Sequence, residues 1–220
     1  AGGCAMPVPL KIDFVSDISC PWCVIGLRAL EQAIARLDGQ VAVDLHFHPF
    51  ELNPQMPPGG QDIDEHLQQK YGSTPEQAAL VRERIRAAGA ALGFTFSLQT
   101  RSRIYNTFDA HRLLHWAALE GHQLALKQAL FQAYFTDGED PSNHQVLIRA
   151  AARVGLDATR AARILDSNEF AAVVRKEQAF FQDQGIHAVP AVIINNQHLI
   201  QGGQPVEVFE QALRQIAGLA

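Results

Sequence analysis

Two cysteines separated by two residues, Cys20-Pro21-Trp22-Cys23, are the part of this chain best equipped for chemistry. They follow a short apolar run, Leu10 to Val15, and precede a stretch with helical spacing. A thiol at the start of a helix faces unpaired backbone N–H groups and the positive end of the helix dipole, which together favour its thiolate. Cys20 is therefore the expected nucleophile. A spacing of three residues places Cys23 one turn further along the same face, within reach of a mixed disulfide formed at Cys20. Cys23 is the expected resolving thiol. Pro21 pre-sets the first helical turn, and Trp22 can cover the sulfurs and limit access to them. The competing reading of the same spacing is half of a zinc site. His46 and His48, two apart on a later strand, share one of its faces and would complete a set of two cysteines and two histidines. The strand-to-helix setting favours redox chemistry.

The elements needed to position this pair can be read on both sides of it. Leu10 to Val15 has strand character and stops at Ser16-Asp17. A helix is expected over 21 to 37, carried by Ile25, Leu27, Leu30, Ile34 and Leu37. Val41 to His48 then alternates with period two and ends at Pro49, giving β-α-β. From Phe50 to about Gly185 the chain is rich in Ala, Leu and Gln at helical spacing. Helices are expected there at 62–71, 75–92, 107–120, 122–135, 143–154, 158–166 and 168–184. Beyond Gly185, Val189 to Ile194 and His198 to Gln201 read as a hairpin turning at Asn195-Asn196. Gly202-Gly203 ends the second strand, and a last helix starts at Pro205 with Val208, Phe209, Leu213 and Ile216 as its apolar positions. The expected fold class is α/β, β-α-β … β-β-α with a large all-helical insertion. Residues 8–50 and 185–220 would form the α/β domain and 51–184 the insertion, its last helix returning to that domain.

Composition narrows the function classes. With 220 residues, 47% hydrophobic and 19% charged, the chain can bury one sizeable core and lacks the signature of disorder. A net charge of −5 gives no electrostatic reason to expect a nucleic acid or an anionic membrane as partner. Three cysteines are too few for a stapled secreted scaffold. Neither a signal-peptide pattern nor a run of about 18 apolar residues occurs, so a cytoplasmic location is expected. Met6 is a candidate natural start, which would make residues 1–5, Cys4 included, a remnant; processing of a longer precursor is the alternative.

The strand, Ser16-Asp-Ile-Ser-Cys-Pro-Trp-Cys23, a long helical stretch and Gly185-Ile-His-Ala-Val-Pro190 before two strands and a helix together resemble the DsbA-like branch of the thioredoxin superfamily. The likeness covers nearly the whole chain and implies a thioredoxin fold, with residues 8–50 and 185–220 as the thioredoxin-like domain. Asp17 to Cys23, Pro49-Phe-Glu-Leu-Asn-Pro54, Lys70-Tyr-Gly72, Asn106-Thr107 with Ala110-His111-Arg112, and Gly185 to Pro190 further resemble its FrnE-like cytosolic subfamily. Members of that subfamily are called polyketide-biosynthesis thiol–disulfide oxidoreductases, but a polyketide substrate does not follow from the name.

The resemblance implies a dithiol–disulfide oxidoreductase, with isomerase activity as a variant, acting on protein or small-molecule disulfides without an organic cofactor or metal. Glutathione is an implied redox partner. It also implies a cis Val189–Pro190 bond beside the dithiol, an isomer that X-Pro bonds reach for only about 0.5–1 kcal/mol. The residues alone suggest instead a trans proline opening an edge strand. Ala188 stands where the family usually has glycine. Asp17 matches the family's acidic position, where it would relay a proton, oppose thiolate formation by its charge, or serve as a turn or cap. Asn106, Thr107, His111 and Arg112 match a motif expected to line the cleft over the dithiol. His111 and His115, four apart on a helix, lack the carboxylate of a zinc-protease motif and are read as packing or surface residues.

Two other functions remain open on the sequence. Kappa-class glutathione transferases and hydroxychromene-carboxylate isomerases have related helical insertions, yet typically carry serine at the place of Cys20 and lack the second cysteine. A redox-switched chaperone or binding module would keep its activity without either cysteine.

Overall fold

A computed structural model describes residues 6–97 and 103–219; Cys4 lies outside them. Its core is a four-stranded sheet in the order β2-β1-β5-β6. β1 (Val8–Ser16) and β2 (Val41–Pro49) are parallel, which requires a crossover, and α1 (Pro21–Arg36) supplies it. β5 (Ala191–Ile194) runs antiparallel to β1 and pairs with β6 (His198–Gln201) through a hairpin whose turn residues, Asn195 and Asn196, both have positive φ. Asparagine tolerates that conformation better than most residues, and this is the turn that the Asn-Asn pair predicts.

Alternation along the strands separates two faces. Leu10, Ile12 and Phe14 of β1, with Val192 and Ile194 of β5, join the large core beneath α1 and α9 (Val206–Ile216). Val15 and Ala191 point the other way and pack with Phe50, Ile186 and Phe181, the last from α8 (Ala171–Asp183). Within α9, Phe209 and Leu213 are fully buried while Val208 is exposed.

Between β2 and β5 the chain is mostly helical: α2 (Ile63–Tyr71), α3 (Pro75–Ala91), α4 (Phe108–Leu119), α5 (Gln123–Phe131), α6 (His144–Arg153), α7 (Ala158–Leu165) and α8. The punctuation read from the sequence is physical. Thr74 and Gln77 form a reciprocal capping box at the start of α3. Asp157 caps α7 through the Arg160 N–H. Two expected helices are shortened. The helix expected over 122–135 loses its α geometry at Phe131, and Gln132–Thr136 continue as a π-turn. The one expected from 168 begins at Ala171, because Phe170 takes a left-handed conformation with φ 66°. A two-residue ladder between β3 (Gln61–Asp62) and β4 (Arg103–Ile104) is too short to leave a sequence pattern.

Candidate active site

Cys20 is the N-cap residue of α1, in extended conformation, with Pro21 in the first turn behind it. Both cysteines are free thiols. Cys20 retains 5% of its surface and Cys23 none, so only the first can meet a substrate directly. Burial pushes the Cys23 thiol well above its ordinary pKa, and the hydrogen bond it gives to Cys20 and the charge of that neighbour push the same way. Cys23 is therefore the protonated partner at neutral pH. Cys20 Sγ lies 3.8 Å from the Val189 carbonyl oxygen, and the Val189–Pro190 bond is cis.

The loop carrying Pro190 lies hard against α1. A Cβ on Gly26 would come 3.1 Å from Pro190 Cγ, and one on Gly203 would come 3.1 Å from the Trp22 carbonyl oxygen. Gly203, which the sequence marks only as the end of a strand, lets the chain after β6 pack onto Trp22. The Val189–Pro190 bond is cis where the residues alone suggest trans, and Pro190 precedes β5 rather than opening it.

Beneath the dithiol sits Asp17, 1% exposed. Its Oδ1 accepts from Thr107 Oγ1 at 2.7 Å and from His111 Nε2 at 3.0 Å, while its Oδ2 accepts from the Leu52 N–H at 2.8 Å and Ser19 Oγ at 3.1 Å. Burial opposes ionisation of Asp17, but its bond to His111 and the charge there, with the Leu52 and Thr107 donors, outweigh burial and hold the carboxyl below its ordinary value. A carboxylate only accepts, so His111 Nε2 carries the hydrogen. The Asp17 carbonyl in turn accepts from the Cys20 N–H at 3.3 Å. Asp17 thus ties β1, the loop after β2 and the start of α4 to the turn that presents Cys20.

A cleft of about 620 Å³ opens over Cys20. Cys20, Pro21 and Trp22 form one end, Phe50 to Asn53 and His187 to Val189 the sides, and α2 and α3 an apolar wall that includes Ile63, Leu67 and Ile85. Lys70 binds the Leu52 carbonyl and Asn53 Oδ1, joining α2 to the segment after β2. Asn106, Thr107 and His111 are not among its lining residues, and the expectation that they line it is corrected. Thr107 and His111 are drawn inward because the buried Asp17 carboxylate needs donors. Asn106 instead accepts from the Phe108 N–H and donates to the Met56 carbonyl. Arg112 is buried and donates to the carbonyls of Ile164, Ser167 and Glu169, fixing the end of α7.

The histidines that would complete a zinc site are engaged elsewhere. His46 pairs with Asp44 at 2.9 Å. His48 lies between Asp13, at 2.6 Å, and Glu177 of α8. No group of three or more His, Cys, Asp or Glu among the described residues is placed to hold a metal.

Sequence reasoning also passed over Lys127. This α5 lysine is 1% exposed and lies close enough to Cys23, Asp17 and Cys20 to interact with their charges. A signal was available: Lys127 is three residues before Leu130 and four before Phe131, on the buried face of α5.

A model of the DSBA-like thioredoxin domain matches residues 11–214 of this chain. The chain belongs to the DSBA-like thioredoxin family. A probable DsbA oxidoreductase from Streptomyces coelicolor is 33% identical, with 95% of this chain and 90% of that one covered at a TM-score of 0.89. The uncharacterized protein YwbO of Bacillus subtilis (strain 168) is 27% identical over 211 residues, 94% of this chain and 96% of its own length. DsbM from Pseudomonas aeruginosa, a cytosolic disulfide reductase solved with GSH, shares the fold at 18% identity and a TM-score of 0.66, with 95% and 100% of the two chains covered. This DSBA-like chain contains no described helix long and apolar enough to cross a membrane.

Proposed function

We propose that this protein is a dithiol–disulfide oxidoreductase whose Cys20 thiolate attacks a substrate disulfide. A Cys20–substrate mixed disulfide forms and the first substrate sulfur leaves as a thiolate. Cys23 then loses its proton and attacks Cys20 Sγ, releasing the second substrate thiolate and leaving a Cys20–Cys23 disulfide. A thiol reductant restores the dithiol; run backwards, the same steps oxidise a substrate. The observation that carries the reading is the asymmetry of the pair: Cys20 caps α1 and reaches the cleft, while Cys23 is sealed beneath it and protonated.

Trp22 and Val189 frame the sulfurs, Pro190 packs against Gly26 of α1 behind them, and Asp17 holds the turn that carries Cys20. Residues 51–184 act as an insertion that adds the apolar wall and three of the four donors for Asp17, those of Leu52, Thr107 and His111. The cleft can accept glutathione as redox partner, a reading that the DsbM structure with GSH encourages, and the same likeness favours work in the cytoplasm. No organic cofactor enters the scheme.

The test is equilibration in a series of glutathione redox buffers, with tryptophan fluorescence followed and acid-trapped thiols counted. A reversible two-electron transition that disappears in Cys20→Ser is expected, and its midpoint gives the direction of electron flow. Absence of a transition, or thiols that react only after zinc is chelated, would overturn the reading.

A further inference from the structure

Lysine is almost never fully buried without a partner, because removing an ammonium from water is costly. Lys127 is buried to 1%, and among the described residues its ammonium has neither an ion pair nor a hydrogen bond. Its Nζ lies 5.7 Å from the ring centre of Phe47 and 5.2 Å from that of Phe131, cation–π distances that give partial compensation only. The charges able to complete it are those of Cys23, Asp17 and Cys20. The Cys20 charge exists only while that sulfur is a free thiolate and the Cys23 charge only as that thiol attacks; a disulfide has neither. Asp17, the permanent charge, already accepts from four donors. The environment that keeps Lys127 protonated is therefore partly removed each time the dithiol is oxidised.

We propose that Lys127 is the positioning residue for the resolving step, its ammonium stabilising the Cys23 thiolate as that thiol attacks the mixed disulfide and its proton departing once the Cys20–Cys23 disulfide has formed. The inference rests on the oxidoreductase reading of the site. The balance is simple. Cys23 gives up its thiol proton to water, the new sulfur–sulfur bond forms to Cys20 as the Cys20–substrate sulfur bond breaks, and the substrate sulfur leaves as a thiolate with the electron pair. Lys127, having lost its counter-charge, then releases its own proton.

An exit lies beside it. Lys127 lines a cavity of about 150 Å³ whose other titratable residues are His46 and His48 from β2, His111 and His115 from α4 and Glu177 from α8. A cavity of this size whose wall offers Gln123, Glu177 and the histidines as hydrogen-bonding partners has room for water, which can take the proton. Three of these histidines are bound to carboxylates, His48 to Asp13 and Glu177, His111 to Asp17 and His46 to Asp44, while His115 Nδ1 stands 3.8 Å from Glu177. The relevant pH range is accessible. Burial lowers the lysine and the nearby cysteine and Asp17 charges raise it, leaving its pKa at about 8. Loss of the thiolate charge lowers it further, so the oxidised protein binds the proton less tightly than the reduced protein.

Two measurements test this, both on the full chain. The first is NMR titration of the Lys127 side chain in wild-type protein, reduced and oxidised. A lower midpoint in the disulfide form is expected; equal midpoints would overturn the proposal. The second uses glutathione disulfide in single turnovers. Lys127→Met should slow conversion of the Cys20–glutathione adduct to the Cys20–Cys23 disulfide about tenfold or more at neutral pH. Its pH–rate profile should move upward, since an opposite charge nearby typically changes a pKa by about one to three pH units. Lys127→Gln serves if the methionine variant does not fold. Wild-type resolution rates and pH dependence in a folded variant would sink the proposal while leaving the oxidoreductase reading intact. A wild-type protein that forms no adduct and shows no reversible dithiol transition would overturn that reading instead, and this inference with it.

Discussion

Two buried aspartates stand four residues apart at the end of β1, each paired with a histidine, and the two pairs are built for different ends. Asp13 belongs to the face covered by α8. It binds His48 of β2, which binds Glu177 of α8, so one imidazole joins two strands and a helix. Asp17 belongs to the turn before α1 and accepts four hydrogen bonds from Ser19, Leu52, Thr107 and His111. Every partner of Asp13 is fixed scaffold. Around Asp17, two thiols change charge during turnover. The lesson is that a buried carboxylate–histidine pair is not by itself a functional signal; what matters is whether a reacting group shares its surroundings.

The strongest way to break this contrast is to remove each aspartate. Asp17→Ala leaves His111, Thr107 and the Leu52 N–H without their acceptor, and a loss of about 3–5 kcal/mol is expected in denaturant titrations. The Asp17→Asn protein, if folded, should also react with a thiol probe at Cys20 at a rate different from that of wild type. Asp13→Asn should leave thiol reactivity unchanged. Equal changes in reactivity from the two asparagine variants would abolish the distinction.

A smaller effect distinguishes the pairs by pH. Burial pushes His48 toward the neutral form, but the bonds to Asp13 and Glu177 prevail and its pKa is raised. Burial likewise pushes Asp13 upward, but its bond to His48 leads the effects that lower it overall. A raised histidine contributes all of its stability below its unfolded pKa of about 6.5 and loses it as pH rises through the higher folded value. A lowered aspartate contributes above its unfolded value of about 3.9 and loses stability as pH falls through the lower folded value. The stability difference between wild type and His48→Ala should therefore peak between about pH 4 and 6.5, at about 1–3 kcal/mol, and shrink on either side. Urea titrations across that range check it; a difference independent of pH would show that His48 acts by packing alone.

The least effect is expected at an exposed pair. Arg82 lies 2.5 Å from Asp64, with side chains 31% and 57% exposed. Arg82→Ala should cost about 0–1 kcal/mol, giving a baseline against which both buried centres are judged.

Much of this architecture was readable before any coordinates. The Cys-Pro-Trp-Cys spacing placed after a strand located the start of α1, and alternation in Val41 to His48 located β2, because periodicity and capping are local properties of the chain. Partnerships across distance were not local. Asp17 and His111 are 94 residues apart, and nothing near either names the other. The family motif brought Thr107 and His111 to notice but set them in the cleft, whereas the hydrogen-bonding demand of a buried carboxylate turns them beneath it. In the sequence His48 is an alternating strand residue or half of a zinc pair with His46, until Glu177, 129 residues later, returns on α8. Lys127 was hidden by its type: a lysine among glutamines and leucines suggests a solvated position, although its register with Leu130 and Phe131 says otherwise.

The central claim is the division of labour between the two thiols, and trapping tests it most directly. In a Cys4→Ser background, Cys23→Ser and Cys20→Ser would each be incubated with glutathione disulfide and analysed by intact-protein mass spectrometry after acid quench. Cys23→Ser should accumulate one stable adduct at Cys20, because nothing is left to resolve it, while the buried thiol of Cys20→Ser should stay unmodified. An adduct on Cys20→Ser forming as fast as that on Cys23→Ser would contradict the account.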